Sequence, residues 1–87
     1  MSYEYEVPVP GLFIQEELDA RSWSQRDLAF ILGMEETALN RIIKGKTRIS
    51  IEMSKALGTA FNVDQDLFAN LQKAHDLANH RGKFPSD

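Results

Sequence analysis

Apolar residues recur along this chain at the spacing of helices rather than strands. Pro10 suits a first helical turn, where its missing N–H has no partner to lose. Ile14 and Leu18 follow at i, i+4 as a buried face, with Phe13 or Leu12 beside them. Leu28, Ala29 and Leu32 mark a second helix over about 24 to 32, opened by the N-cap residue Ser24 with Asp27 three positions on, and closed by Gly33. Ala38, Leu39, Ile42 and Ile43 mark a third, about 35 to 44, closed by Gly45. Ser50 caps a fourth, about 51 to 61, with Met53, Ala56, Leu57, Ala60 and Phe61 inward. Gly58 inside it costs about 1 kcal/mol against Ala, which predicts a close helix–helix approach there. A fifth helix starts at Asp64 or Asn62 and runs to about 79, with Leu67, Phe68, Leu71, Ala74, His75 and Ala78 on its apolar side. The pattern predicts an all-α domain of five helices over residues 10–79, with residues 1–9 as an N-terminal arm and 80–87 as a flexible tail. Trp23, in the link between the first two helices, reads as a lid on the core.

The second and third helices organise the rest. Two short helices joined by a turn of three or four residues containing Gly form a helix-turn-helix. In that arrangement the first helix offers free backbone N–H groups at its N-terminus, here Ser24 and Gln25, which suit a phosphate. The second is the recognition helix and carries side chains to base edges. With Leu39 and Ile42 inward, the base-reading candidates are Glu35, Glu36, Thr37, Asn40 and Arg41. Arg41 suits guanine, Asn40 suits adenine, and a Glu accepts from cytosine N4. Glu35 and Glu36 also serve the helix itself, since acids in a first turn complement its dipole. Lys44, Lys46 and Arg48 form a basic loop placed for phosphate contacts.

Charge sharpens this picture because it is divided. The whole chain is acidic, with net charge −3 over 87 residues, and so excludes indiscriminate nucleic-acid binding by bulk charge. Residues 37–55 nevertheless carry +4, through Arg41, Lys44, Lys46, Arg48 and Lys55 against Glu52. A local cationic block on an acidic chain is a localised footprint, for which DNA phosphates are one target and an ordinary solvated face the alternative. Residues 1–20 carry −5, from Glu4, Glu6, Glu16, Glu17 and Asp19, which implies a second partner or a solvated face. There is no cysteine, so neither disulfide nor thiolate chemistry arises. His75 and His80, at i, i+5, do not share a helix face well, and Gly45-Lys46-Thr47 lacks the upstream glycine of a phosphate loop. The expectation is a cytoplasmic binding protein, not an enzyme, with no metal, cofactor or membrane span.

Four stretches carry a family resemblance: V-P-G-L-F-I-Q-E-E-L, W-S-Q-R-D-L-A-F-I-L-G, I-I-K-G-K-T-R-I-S and F-A-N-L-Q-K-A-H-D-L. Together they resemble HigA-type antitoxins of the Xre/Cro helix-turn-helix group over roughly residues 8–78. The middle stretches are common to many repressors, whereas the Pro-Gly opening with the L-Q…D-L ending is more particular. The resemblance implies a five-helix domain that dimerises, with Phe68 and Leu71 of the fifth helix as contributors. It implies repression of its own operon through a palindromic operator, and neutralisation of a small basic RelE-like (HigB-type) toxin that cleaves messenger RNA. Such a toxin would meet the acidic surface, with Glu4, Glu6, Glu16, Glu17 and Asp19 attracting it and Tyr3 and Tyr5 as anchors. The chain departs from the family at Met34, Glu35 and Glu36, where small polar and basic residues are common, and at His75, where Tyr is usual. A protein-binding adaptor on the same fold, with little or no DNA binding, is the alternative, favoured by the two glutamates and the net acidity.

Overall fold

The computed structural model describes residues 9–80, apart from the side chain of His80. Five α-helices follow one another: α1 Gly11–Arg21, α2 Gln25–Leu32, α3 Glu36–Ile43, α4 Ile51–Phe61 and α5 Leu67–His80. The described residues contain no strand. Residues 1–8, including Tyr3, Glu4, Tyr5 and Glu6 of the expected arm, lie outside the described residues, as do 81–87 of the expected tail.

The caps fall where local chemistry puts them. Ser24 Oγ accepts from Asp27 N–H at 3.0 Å, and Asp27 Oδ2 accepts from Ser24 N–H at 2.9 Å, completing a capping box. Ser50 Oγ accepts from Met53 N–H at 3.0 Å and opens α4. Gly33 ends α2 at φ 69°, a left-handed conformation that a side chain resists, and so turns the chain sharply into α3. The N-cap of α3 is Glu35, whose side chain makes no capping hydrogen bond, so Glu36 in the first turn meets the helix dipole directly.

The core draws on every helix. Ile14, Leu18, Leu28, Leu39, Leu57, Phe61 and Phe68 are fully buried, each contributing about 1.5–3 kcal/mol of burial. Trp23 is half-buried and stacks on Phe61 with centroids 5.9 Å apart, closing the core as a lid. Arg21 braces the pair: its guanidinium lies 4.9 Å from the Phe61 ring centroid and 5.7 Å from that of Trp23. It also donates to the Phe61 carbonyl at 2.6 Å and pairs with Glu17.

Several expectations are corrected. Ala38, Ala74 and Leu12 are exposed; Phe13 takes the place beside Ile14 and Leu18. Asn62 does not start α5 but closes α4 in a left-handed conformation, φ 60°. Asp64 shapes a turn instead, accepting from Asp66 N–H at 2.7 Å, so α5 begins only at Leu67. Gly58 does admit a close approach, but from the turn rather than from a helix: a Cβ there would stand 2.6 Å from Gln65 Cα. Two buried polar side chains were not anticipated. Ser54 Oγ donates to the Gln65 carbonyl at 2.6 Å and accepts from Ala69 N–H at 2.8 Å. Gln72 Oε1 accepts from Ile49 N–H at 2.9 Å.

Candidate nucleic-acid interface

α2 and α3 meet at a turn, and their outward sides enclose an open notch of about 500 Å³. Gln25 lines it from the start of α2, and Thr37, Asn40 and Arg41 line it from α3. Lys44 and Lys46 line its far end, just past α3. Thr37, Asn40 and Arg41 are brought to one surface with Gln25 because burying Leu39, Ile42 and Ile43 turns the opposite side of α3 to solvent. Arg41, Lys44 and Lys46 are exposed, and none forms an ion pair among the described residues. Their positions are fixed by backbone bonds: Lys46 N–H donates to the Arg41 carbonyl at 2.8 Å and Lys44 N–H to the Asn40 carbonyl at 2.9 Å. These bonds satisfy the last carbonyls of α3 without using the cationic heads.

Not all predicted site residues join this cluster. Glu36 lies in the notch and is its one acid among the described residues. Glu35 lies away from it, on a neighbouring groove lined by Arg26, Phe30 and Met34. Gln25 is half-buried and already engaged, accepting from Asn40 Nδ2 at 3.0 Å and donating to Gln15 Oε1 at 3.3 Å. Ser24, at the opening of α2, is likewise engaged, its hydroxyl and its N–H both bonded to Asp27 in the capping box.

Arg48 stands apart from the notch. Its Nε donates to Asp76 Oδ2 at 3.1 Å, its second nitrogen pairs with the same carboxylate, and Gln72 Nε2 supports the other oxygen at 3.0 Å. The Arg48 hydrogen bond holds the Asp76 carboxyl below its usual range, against the opposing effect of partial burial. The same bond pushes the Arg48 guanidinium above its ordinary value. Arg48 therefore serves first as a clasp between the basic loop and α5, although its side chain is still 71% exposed.

The acidic candidates on α1 are unequal. Glu16 is exposed with no partner among the described residues, whereas Glu17 pairs with Arg21 and Asp19 accepts from Gln15 at 3.0 Å. Of the dimer candidates, Phe68 is 0% exposed and packs on Phe61, which removes it from any surface; Leu71 is half-buried against the core. His75 bonds Asn79 at 2.8 Å. Sequence reasoning missed Gln15, although its i, i+4 spacing to Asp19 was readable, and Phe30, which is 85% exposed on α2. No helix among the described residues is long and apolar enough to cross a membrane.

A capped helix, a glycine turn and a second helix with a polar outer side define a helix-turn-helix protein. The chain belongs to the helix-turn-helix family, whose model matches residues 14–68. It is 38% identical over 72 residues to virulence-associated protein A′ of Dichelobacter nodosus, covering 82% of this chain and 63% of that protein's length. It is 32% identical over 71 residues to the uncharacterized HTH-type transcriptional regulator YddM of Escherichia coli, covering 82% of this chain and 76% of the relative. Among solved structures it resembles PA4674 of Pseudomonas aeruginosa, crystallised with its operator DNA, with TM-score 0.83 and 26% identity over 91% of this chain and 86% of that one. It also resembles an addiction module antidote protein of the HigA family from Coxiella burnetii, with TM-score 0.79 and 25% identity, covering 91% of each chain.

Proposed function

We propose that this protein is a cytoplasmic HigA-type antitoxin that binds operator DNA as a homodimer, represses its own operon, and neutralises a basic RelE-like toxin. The observation that carries the DNA reading is the notch itself. Three cations with no ion pair among the described residues, a polar recognition side and a helix N-terminus share one open surface on an otherwise acidic protein. That combination suits a phosphate-lined groove with base edges at its floor. Similarity to an operator-bound protein and to an antidote protein supports the two halves of the proposal. Lys44, Lys46 and the opening of α2 hold phosphates, while Thr37, Asn40 and Arg41 read bases.

The test separates these roles. A duplex selected from a randomised pool is titrated at several salt concentrations. Lys46→Ala is expected to weaken all sequences alike and to lower the salt slope by about one. Arg41→Ala is expected to cost about 1–3 kcal/mol at one base position. Identical sequence profiles for the two variants would refute the assignment. Glu36 inside the notch favours the adaptor reading, in which toxin is bound and DNA is not. Retained binding of the RelE-like toxin, with no sequence enriched by the wild type, would select it. On the toxin side, Glu16→Lys is expected to slow association and flatten its salt dependence while DNA binding holds.

A further inference from the structure

Four polar side chains run in single file from α1 to the recognition side of α3. Asp19 Oδ1 accepts from Gln15 Nε2 at 3.0 Å, Gln15 Oε1 accepts from Gln25 Nε2 at 3.3 Å, and Gln25 Oε1 accepts from Asn40 Nδ2 at 3.0 Å. An amide side chain can be turned over with little change of shape, so its direction needs a cause. Here the cause is the first member. An ionised carboxylate accepts and never donates. Gln15 must turn its nitrogen to Asp19, which leaves its oxygen for Gln25, and the same constraint passes on to Asn40. Turning any one amide would set donor against donor or acceptor against acceptor. At the far end Asn40 spends one N–H inward. Its Oδ1 and second N–H have no other hydrogen bond among the described residues, and they belong to a side chain that lines the notch.

We propose that Asp19, acting through Gln15 and Gln25, is a positioning residue that orients the Asn40 amide and so sets a preference for adenine at the base Asn40 meets. An acceptor beside a donor matches adenine N6 and N7, whereas guanine presents two acceptors in the same groove. The inference rests on the reading of Asn40 as a base contact and extends it to Gln15 and Asp19, which do not line the notch. The Gln15–Asp19 link is exposed and the other two are partly buried, so water competes at the outer end and the effect is graded.

The experiment uses the full chain and a duplex selected by the wild type from a randomised pool, together with its adenine-to-guanine variants. Asn40→Ala locates the position where the adenine-to-guanine ratio flattens. Asp19→Asn, which can donate as well as accept, is expected to lower the ratio there by roughly threefold to tenfold. Asp19→Glu, which keeps the acceptor, is expected to restore it, and Asp19→Asn added to Asn40→Ala to change no ratio. Losing a negative charge strengthens binding to every duplex alike, so the ratio, unlike the affinity, separates positioning from charge. In the free protein, Asp19→Asn is expected to move the side-chain amide NMR signals of Gln25 and Asn40. An unchanged ratio, with Asn40→Ala still flattening it, overturns the relay and spares the base reading. If Asn40→Ala flattens no position, or the wild type enriches no sequence, the base reading fails and the proposal fails with it. Amide signals that stay in place overturn the relay independently of DNA.

Discussion

The α2–α3 pair and the α4–α5 pair are held together in opposite ways. Apart from the Asn40–Gln25 hydrogen bond between its helices, the first is held locally, by a capping box within four residues and a left-handed glycine whose Cβ position is open space. Its outer polar side chains are largely left over, and they line the notch. The second is held from a distance. Ser54 reaches across to Gln65 and Ala69, Gln65 Nε2 donates to Thr59 Oγ1 at 3.0 Å, and Gly58 admits the Gln65 backbone. The polar groups at that contact are consumed by the fold. The contrast teaches where a ligand can be met: where the backbone is satisfied by its sequence neighbours, side chains remain free for another molecule.

The glycines give the largest expected difference. Gly58→Leu forces atoms into the Gln65 backbone and is expected to cost about 3 kcal/mol, at the upper end of overpacking. Gly33→Ala meets no neighbour and is expected to lose about 1 kcal/mol, from its backbone angle alone. Urea unfolding of the two variants measures both, and equal losses would erase the contrast. The serines come next. Ser54→Ala strands a part-buried carbonyl and an N–H and is expected to cost about 2 kcal/mol. Ser24→Ala removes one exposed cap and is expected to cost about 1 kcal/mol. A larger loss at Ser24 would place the weight of the fold in the α2–α3 half.

The smallest effect sharpens the boundary between the halves, at the Arg48–Asp76 clasp. The folded carboxyl of Asp76 is depressed, so its contribution is present above the unfolded value of about 3.9 and is lost as pH falls through the lower folded value. Wild type is therefore expected to melt above Asp76→Asn at neutral pH, with the gap closing below about pH 4. A gap in melting temperature that persists into stronger acid would assign Asp76 a packing role instead.

Legibility from sequence follows the same division. Ser24, Asp27 and Gly33 announce α2 and its turn, and Ser50 announces α4, because each acts on backbone no more than one helical turn away. Thr37, Asn40 and Arg41 could be assigned to one side of α3 by period alone, and they do line one notch. Arg48 could not be separated from Lys44 and Lys46, because its partner Asp76 lies 28 residues on. Asn62 and Asp64 both suit an N-cap, and only the packing of Gly58 on Gln65 assigns one to the end of α4 and the other to a turn. Phe68 reads as an apolar position of α5 in either case; its full burial is a property of the assembled core.

The openness of the notch has an evolutionary consequence. Thr37, Arg41, Lys44 and Lys46 are exposed, so exchanges there typically change stability by less than about 0.5 kcal/mol. On the proposed DNA reading, descendants of this chain can drift to new operators at those positions without passing through unfolded ancestors. Asn40 is the exception: its amide is tied through α2 to α1, so a change there travels well only with changes at Gln25, Gln15 or Asp19. Covariation among these four positions across a lineage is the historical trace that such a coupling leaves.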